Sequence, residues 1–162
     1  MVALGHPCRF SRIAISSSRS YSPGTRRCCT VPLSRQRRFS RHDGSVGAAR
    51  AFAVETLVEW GITARQDDIR LCVSELATNA VLHGVASGRE FRLRVIADDE
   101  LVRIEVRDSG CGQLELPRAV VDADEEGGRG LLLATALSDG FGVTAHAPGK
   151  TVWLVFKAVP AV

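Results

Sequence analysis

No stretch of this 162-residue chain is apolar for long enough to span a membrane. No apolar run of signal-peptide length follows its first residues either. The five cysteines, Cys8, Cys28, Cys29, Cys72 and Cys111, form no C-x-x-C pair and have no histidine at ligand spacing, which excludes a structural zinc site. These absences predict a reduced, cytoplasmic protein with no membrane partner. Acid is scarce at one end: residues 1 to 50 hold ten Arg and one Asp, a charge of +9, while residues 51 to 162 carry −6. The net +3 is therefore a basic tail on an acidic domain, and an acidic domain argues against nucleic acid as a direct partner.

What is present is one domain's worth of core, with 45% apolar residues. Residues 1 to 33 are rich in Arg, Ser, Gly and Pro without periodicity and read as a disordered extension. A transit peptide or a start assigned too far upstream would have the same composition. The domain is expected over 34 to 162. Ser34 to Arg41 reads as a basic edge strand, and Asp43 or Ser45 as the cap of a helix running to about Trp60, with Val46, Ala49, Phe52, Ala53, Leu57 and Trp60 on one stripe. A second helix runs from about Gln66 to His83, with Gly84 as its C-terminal cap. Glu90 to Ala97 and Leu101 to Asp108 alternate as a hairpin around Asp98-Asp99-Glu100. An acidic connection over 113 to 127 precedes a helix from Leu131 to Leu137, and two strands, Gly140 to Ala145 and Thr151 to Ala158, close the chain.

Three places carry chemistry. On the second helix Glu75, Asn79 and His83 lie four apart, at the margin of the stripe Ile69, Cys72, Val73, Leu76 and Ala80. A capping amide and a satisfied histidine would explain that row as well. At the end of the second hairpin strand, the alternation of Val102, Ile104 and Val106 puts Asp108 on the apolar side, directly before Ser109-Gly110-Cys111-Gly112. A buried carboxylate needs donors, and a ligand N–H could be one; an Asp-Gly turn is the plainer alternative. Gly127-Gly128-Arg129-Gly130 feeds a helix N-terminus, which offers free N–H groups to an anion such as phosphate. Gly149-Lys150-Thr151 does not make a P-loop, because Thr144 stands where the first glycine is needed and a strand follows; Lys150 reads as a turn lysine.

Ordered this way, the residues resemble the GHKL ATPases. Glu75 to His83 is similar to the N box, Asp108 to Gly112 to the first glycine box, and Gly128-Arg129-Gly130-Leu131 to the second. Within the group the wording Ser74-Glu75-Leu76, Thr78-Asn79-Ala80 and Gly149-Lys150-Thr151-Val152-Trp153 resembles the RsbW-like anti-sigma-factor serine kinases, over about residues 36 to 157. The resemblance implies the Bergerat fold, an α+β two-layer sandwich with a mixed sheet covered on one face by about three helices. It also implies ATP and Mg2+ as cofactors. Asp108 would accept the adenine amino group, with Gly110 and Gly112 making room and Thr151 assisting through water. Asn79 would hold magnesium, Glu75 would act as general base, and Gly128, Arg129, Gly130 and Leu131 would close over the phosphates.

The activity implied is phosphorylation of a STAS-type antagonist, with a sigma factor as the other partner in a partner-switching pathway and a tendency to form homodimers. A nucleotide-binding interaction module with little kinase activity is the alternative. A detached histidine-kinase catalytic domain fits less well, since no dimerisation helix carries a phosphoacceptor, and gyrase-like or chaperone-like readings leave no room for a second domain.

Overall fold

The computed structural model describes residues 31–84, 88–110 and 129–157. The chain runs β1 (Leu33–Ser40), α1 (Gly44–Glu59), α2 (Gln66–Asn79), a π-helical turn (Ala80–Gly84), β2 (Glu90–Ala97), β3 (Leu101–Asp108), α3 (Arg129–Leu137), β4 (Gly140–Ala145) and β5 (Lys150–Lys157). The expected extension falls outside the described residues except for its last three positions, as does the acidic connection.

The five strands form one sheet in the order β1-β2-β3-β5-β4, with helices packed on one face. This is the α+β two-layer sandwich. The sheet departs from the mixed one expected in that every described pairing is antiparallel. The reason is topological: β3 and β4, joined through α3, do run parallel, but β5 folds back from β4 and inserts between them.

Strict alternation sets the buried face. Phe91, Leu93 and Val95 of β2, Val102, Ile104 and Val106 of β3, and Val152, Leu154 and Phe156 of β5 are buried. They meet Ala49, Phe52, Ala53 and Leu57 of α1 and Ile69, Cys72, Val73 and Leu76 of α2. At roughly 1.5 to 3 kcal/mol for each large apolar side chain buried, this two-layer contact is the main force holding the site's elements in place. β1 sits at the sheet edge, as its charge suggests; Arg35 pairs with Glu59 of α1, and the Arg37 guanidinium lies 4.6 Å from the Phe52 ring centroid.

The ends of the helices differ from expectation. Neither Asp43 nor Ser45 caps α1 through its side chain; the His42 ring does, its Nδ1 accepting from the Gly44 N–H at 3.0 Å. α2 is preceded by Arg65, its N-cap residue, held in the left-handed region (φ 62°). The Arg65 guanidinium meets Asp68 at 2.6 Å and Asp139 at 3.3 Å and donates to the Leu137 carbonyl, tying α2 to the end of α3. Those two carboxylates raise its pKa above the ordinary arginine value, the hydrogen bond to Asp68 contributing most.

Candidate functional site

The site is assembled where α2 changes its winding. After Asn79 the backbone passes into the π-helical turn, and Arg41 Nε donates to the Val81 carbonyl at 2.9 Å, fixing that turn to the end of β1. Gly84 does not serve as a left-handed cap; its φ is not positive. It is glycine because a Cβ there would lie 2.6 Å from Asp108 Cγ. The helix therefore ends against the carboxylate at the end of β3.

Asp108 is 3% exposed, inward-facing as its strand position predicts. Its Oδ1 accepts from the Gly110 N–H at 3.1 Å and its Oδ2 meets Lys150 Nζ at 3.2 Å. An ionised carboxylate has about four acceptor positions, so roughly two remain for a ligand's donors. Gly110 packs on the Gly84 backbone, and Gly149 (φ 93°) packs on the Asp108 carbonyl. Three glycines thus crowd backbone from the π-helical turn, the end of β3 and the β4–β5 turn around one carboxylate.

The first residue of β5 corrects two readings. Lys150 is no turn lysine: it is 6% exposed and ion-paired, in register with Asp108 across β3 and β5. Thr151, expected beside the same carboxylate, is in register with Arg107 on the opposite face, and its hydroxyl lies 2.8 Å from His146 Nε2. A strand reverses its side with each residue, so an offset of one position puts lysine where threonine was expected. The buried cation was legible as the residue sharing the parity of Val152, Leu154 and Phe156.

The other expected residues are partly reunited. Glu75 is half-buried on α2, and α3 comes so close that a Cβ on Gly130 would run into Glu75 Oε2. The residues likened to the N box thus meet the N-terminus of α3, which opens within those likened to the second glycine box. Asn79 is half-buried one turn beyond Glu75, and His83 is exposed. Arg129 opens α3 and Leu131 packs partly against the core. Gly112 and Gly128 lie outside the described residues, as does the side chain of Arg129.

Among the described residues no cluster of three or more His, Cys, Asp or Glu could hold a metal ion. Asn79 offers one hard oxygen. Magnesium in this site fits only as an ion that takes most of its ligands from phosphates and water, which is its usual preference.

A glycine-lined buried carboxylate beneath a helix carrying Glu and Asn, with a second helix N-terminus opposite, defines a nucleotide-binding α+β sandwich of the GHKL kind. The chain belongs to the histidine kinase-like ATPase domain family, whose model matches residues 39–156, and within it the chain is RsbW-like. Among solved structures it is similar to the RsbU and RsbW domains of Rv1364c from Mycobacterium tuberculosis, with 28% identity and a TM-score of 0.59 over 82% of this chain. It spans 33% of that longer chain. None of the curated proteins compared with it matches. An ATPase domain of this family implies ATP binding. No helix among the described residues is long and apolar enough to cross a membrane.

Proposed function

We propose that this chain is a magnesium-dependent serine/threonine protein kinase of a cytoplasmic partner-switching pathway, which phosphorylates a STAS-type antagonist and binds a sigma factor in its other state. The observation that carries the reading is the convergence of Glu75 on Gly130 and of Asp108 on Gly84 and Gly110. Base-binding and phosphate-side groups then stand along one helix, at the π-helical turn that ends it and about two turns earlier.

In this reading the free lone pairs of Asp108 accept the adenine amino group, while Lys150 and the Gly110 N–H hold the carboxylate in place. Asn79 supplies an oxygen to magnesium, whose charge would offset that of the phosphates. Glu75 takes the proton of the substrate hydroxyl as the seryl oxygen bonds to the γ-phosphorus and the bond from phosphorus to the bridging oxygen breaks, releasing ADP. Such a transfer relies on positioning and charge neutralisation more than on covalent help from the protein.

Calorimetric titration with Mg–ATP tests the nucleotide half. Wild type should bind, and Asp108→Asn, which loses a charged acceptor, should bind about 10-fold to 100-fold more weakly. Radiolabel transfer to a STAS-domain substrate tests the kinase half: Glu75→Ala should retain binding and lose transfer. Tight ATP binding without transfer by wild type to any STAS substrate would leave the interaction module; no binding by a folded protein would overturn the nucleotide reading.

A further inference from the structure

The face of the sheet turned away from the helices carries an arrangement that nucleotide binding does not use. Arg38 of β1 is in direct register with Arg92 of β2, and Arg92 with Arg107 of β3, so three guanidinium groups stand side by side across adjacent strands. Like charges directly opposite each other destabilise a sheet. Arg89 joins them at the wall of a cavity of about 670 Å³, which Ser40, Gly88, Ser109 and Pro148 also line.

None of these four arginines has an ion pair or a hydrogen-bonded side chain among the described residues. Every other arginine with a described side chain has a partner: Arg35 has Glu59, Arg41 the Val81 carbonyl, and Arg103 has Glu105, for example. Among the described arginines, the unpaired ones are thus confined to one end of the outer face. The next row is neutralised, with Glu105 meeting both Arg94 and Arg103.

A second observation falls on the same cavity. Ser109 Oγ is buried and has no hydrogen-bond partner among the described residues. A buried hydroxyl left unmatched is destabilising, and it is satisfied when a ligand brings an acceptor. Glu90 is the remaining acid on the lining; Asp108 already has Lys150.

We propose that this cavity is an anion site for a compact, multiply charged phosphate group, of the pyrophosphate or phosphate-ester class, held by Arg38, Arg92 and Arg107 with Ser109 donating. Guanidinium forks match phosphate oxygens in geometry and charge. A pocket of this volume suits a small ligand, and the clustering of the unpaired arginines at one strand end favours a small polyanion over an extended acidic surface. Because Arg107, Asp108 and Ser109 are consecutive and Asp108 also lines the cavity, the anion would sit beside the carboxylate proposed to bind the base, at the same strand end.

The test is calorimetric titration and thermal unfolding of the full chain with inorganic pyrophosphate, inorganic phosphate and a decaglutamate peptide, on wild type, Arg92→Gln and Arg107→Gln. Without anion, Arg92→Gln should melt higher than wild type, because it removes the central charge of the row. With pyrophosphate the order should reverse, wild type gaining stability and each variant losing at least 10-fold in affinity, while ATP affinity stays within 2-fold in all three. Phosphate binding as tightly as pyrophosphate would mark a single-phosphate site within the same class. Pyrophosphate binding unchanged in both variants, or decaglutamate binding as tightly as pyrophosphate, would overturn the proposal. So would a lower melting temperature for Arg92→Gln without anion.

Discussion

Lys150 and Asp108 together decide whether the proposed base pocket exists. Both are almost fully buried, and they pair at 3.2 Å. Removing one partner of a buried pair typically costs about 3 to 5 kcal/mol, because the other charge is left without compensation. Replacing both with neutral groups of similar size costs far less. Lys150→Met should therefore lower the unfolding free energy by about 3 kcal/mol, whereas Lys150→Met combined with Asp108→Asn should recover most of the loss. Urea denaturation of the four proteins checks this, and additive losses would show that the pair contributes nothing as a pair. Binding separates from stability here: the double variant folds but, without the carboxylate, should bind ATP no better than Asp108→Asn.

At the scale of elements, the glycines at the contacts between helix and strand ends carry the geometry. In an unconstrained helix, Gly84→Ala would stabilise by about 0.5 to 1 kcal/mol. At this position the new Cβ meets Asp108 Cγ at 2.6 Å, so the expected sign is opposite, a loss of about 1 to 3 kcal/mol as overpacking, read as a lower melting temperature. Gly130→Ala differs, since the atom in its way is the far end of a flexible Glu75 side chain. It should leave the melting temperature within a few degrees and slow phosphoryl transfer by more than any change in Mg–ATP affinity accounts for, by displacing the proposed base; a transfer rate equal to wild type would show that Glu75 is not positioned by this contact.

The elements were legible in the sequence to within a residue or two, because the alternation in β2 and β3 and the stripes of α1 and α2 are set by burial that recurs along the chain. Asp108 was legible for the same reason. The π-helical turn, the His42 cap and the true reason for Gly84 were not, since each depends on a group distant in sequence or on a local choice between competing donors. Strand parity alone assigns Lys150, and not Thr151, to the side of Asp108; likeness to a motif is a likeness of letters and carries no parity.

For the whole molecule, the shared core between α2 and α3 sets a limit on alkaline stability. Cys72 lies at 0% exposure on the face of α2 that meets α3, its thiol 3.8 Å from the Ala134 carbonyl. Burial, and secondarily the nearby Asp68 carboxylate, push its pKa from 9.0 up to about 11. The folded chain therefore keeps this proton at a pH where the unfolded chain has lost it. Between pH 9 and 11 the unfolded state binds fewer protons than the native state, so unfolding free energy falls as pH rises. A tenfold change in proton affinity corresponds to about 1.4 kcal/mol, so the full loss is roughly 2 to 3 kcal/mol and is complete only above about pH 11. Two-state unfolding makes this local proton a global quantity, because the folded and unfolded states of the whole domain differ in their affinity for it. Urea denaturation from about pH 8 to 11 should show the decline in wild type and a shallower slope in Cys72→Ala, whatever that variant's lower starting stability. Parallel slopes would place the alkaline limit elsewhere and free the core thiol of this role. The same burial keeps the thiol out of reach of alkylating reagents below about pH 9, so modification of Cys72 should track unfolding of the whole domain and not surface exposure.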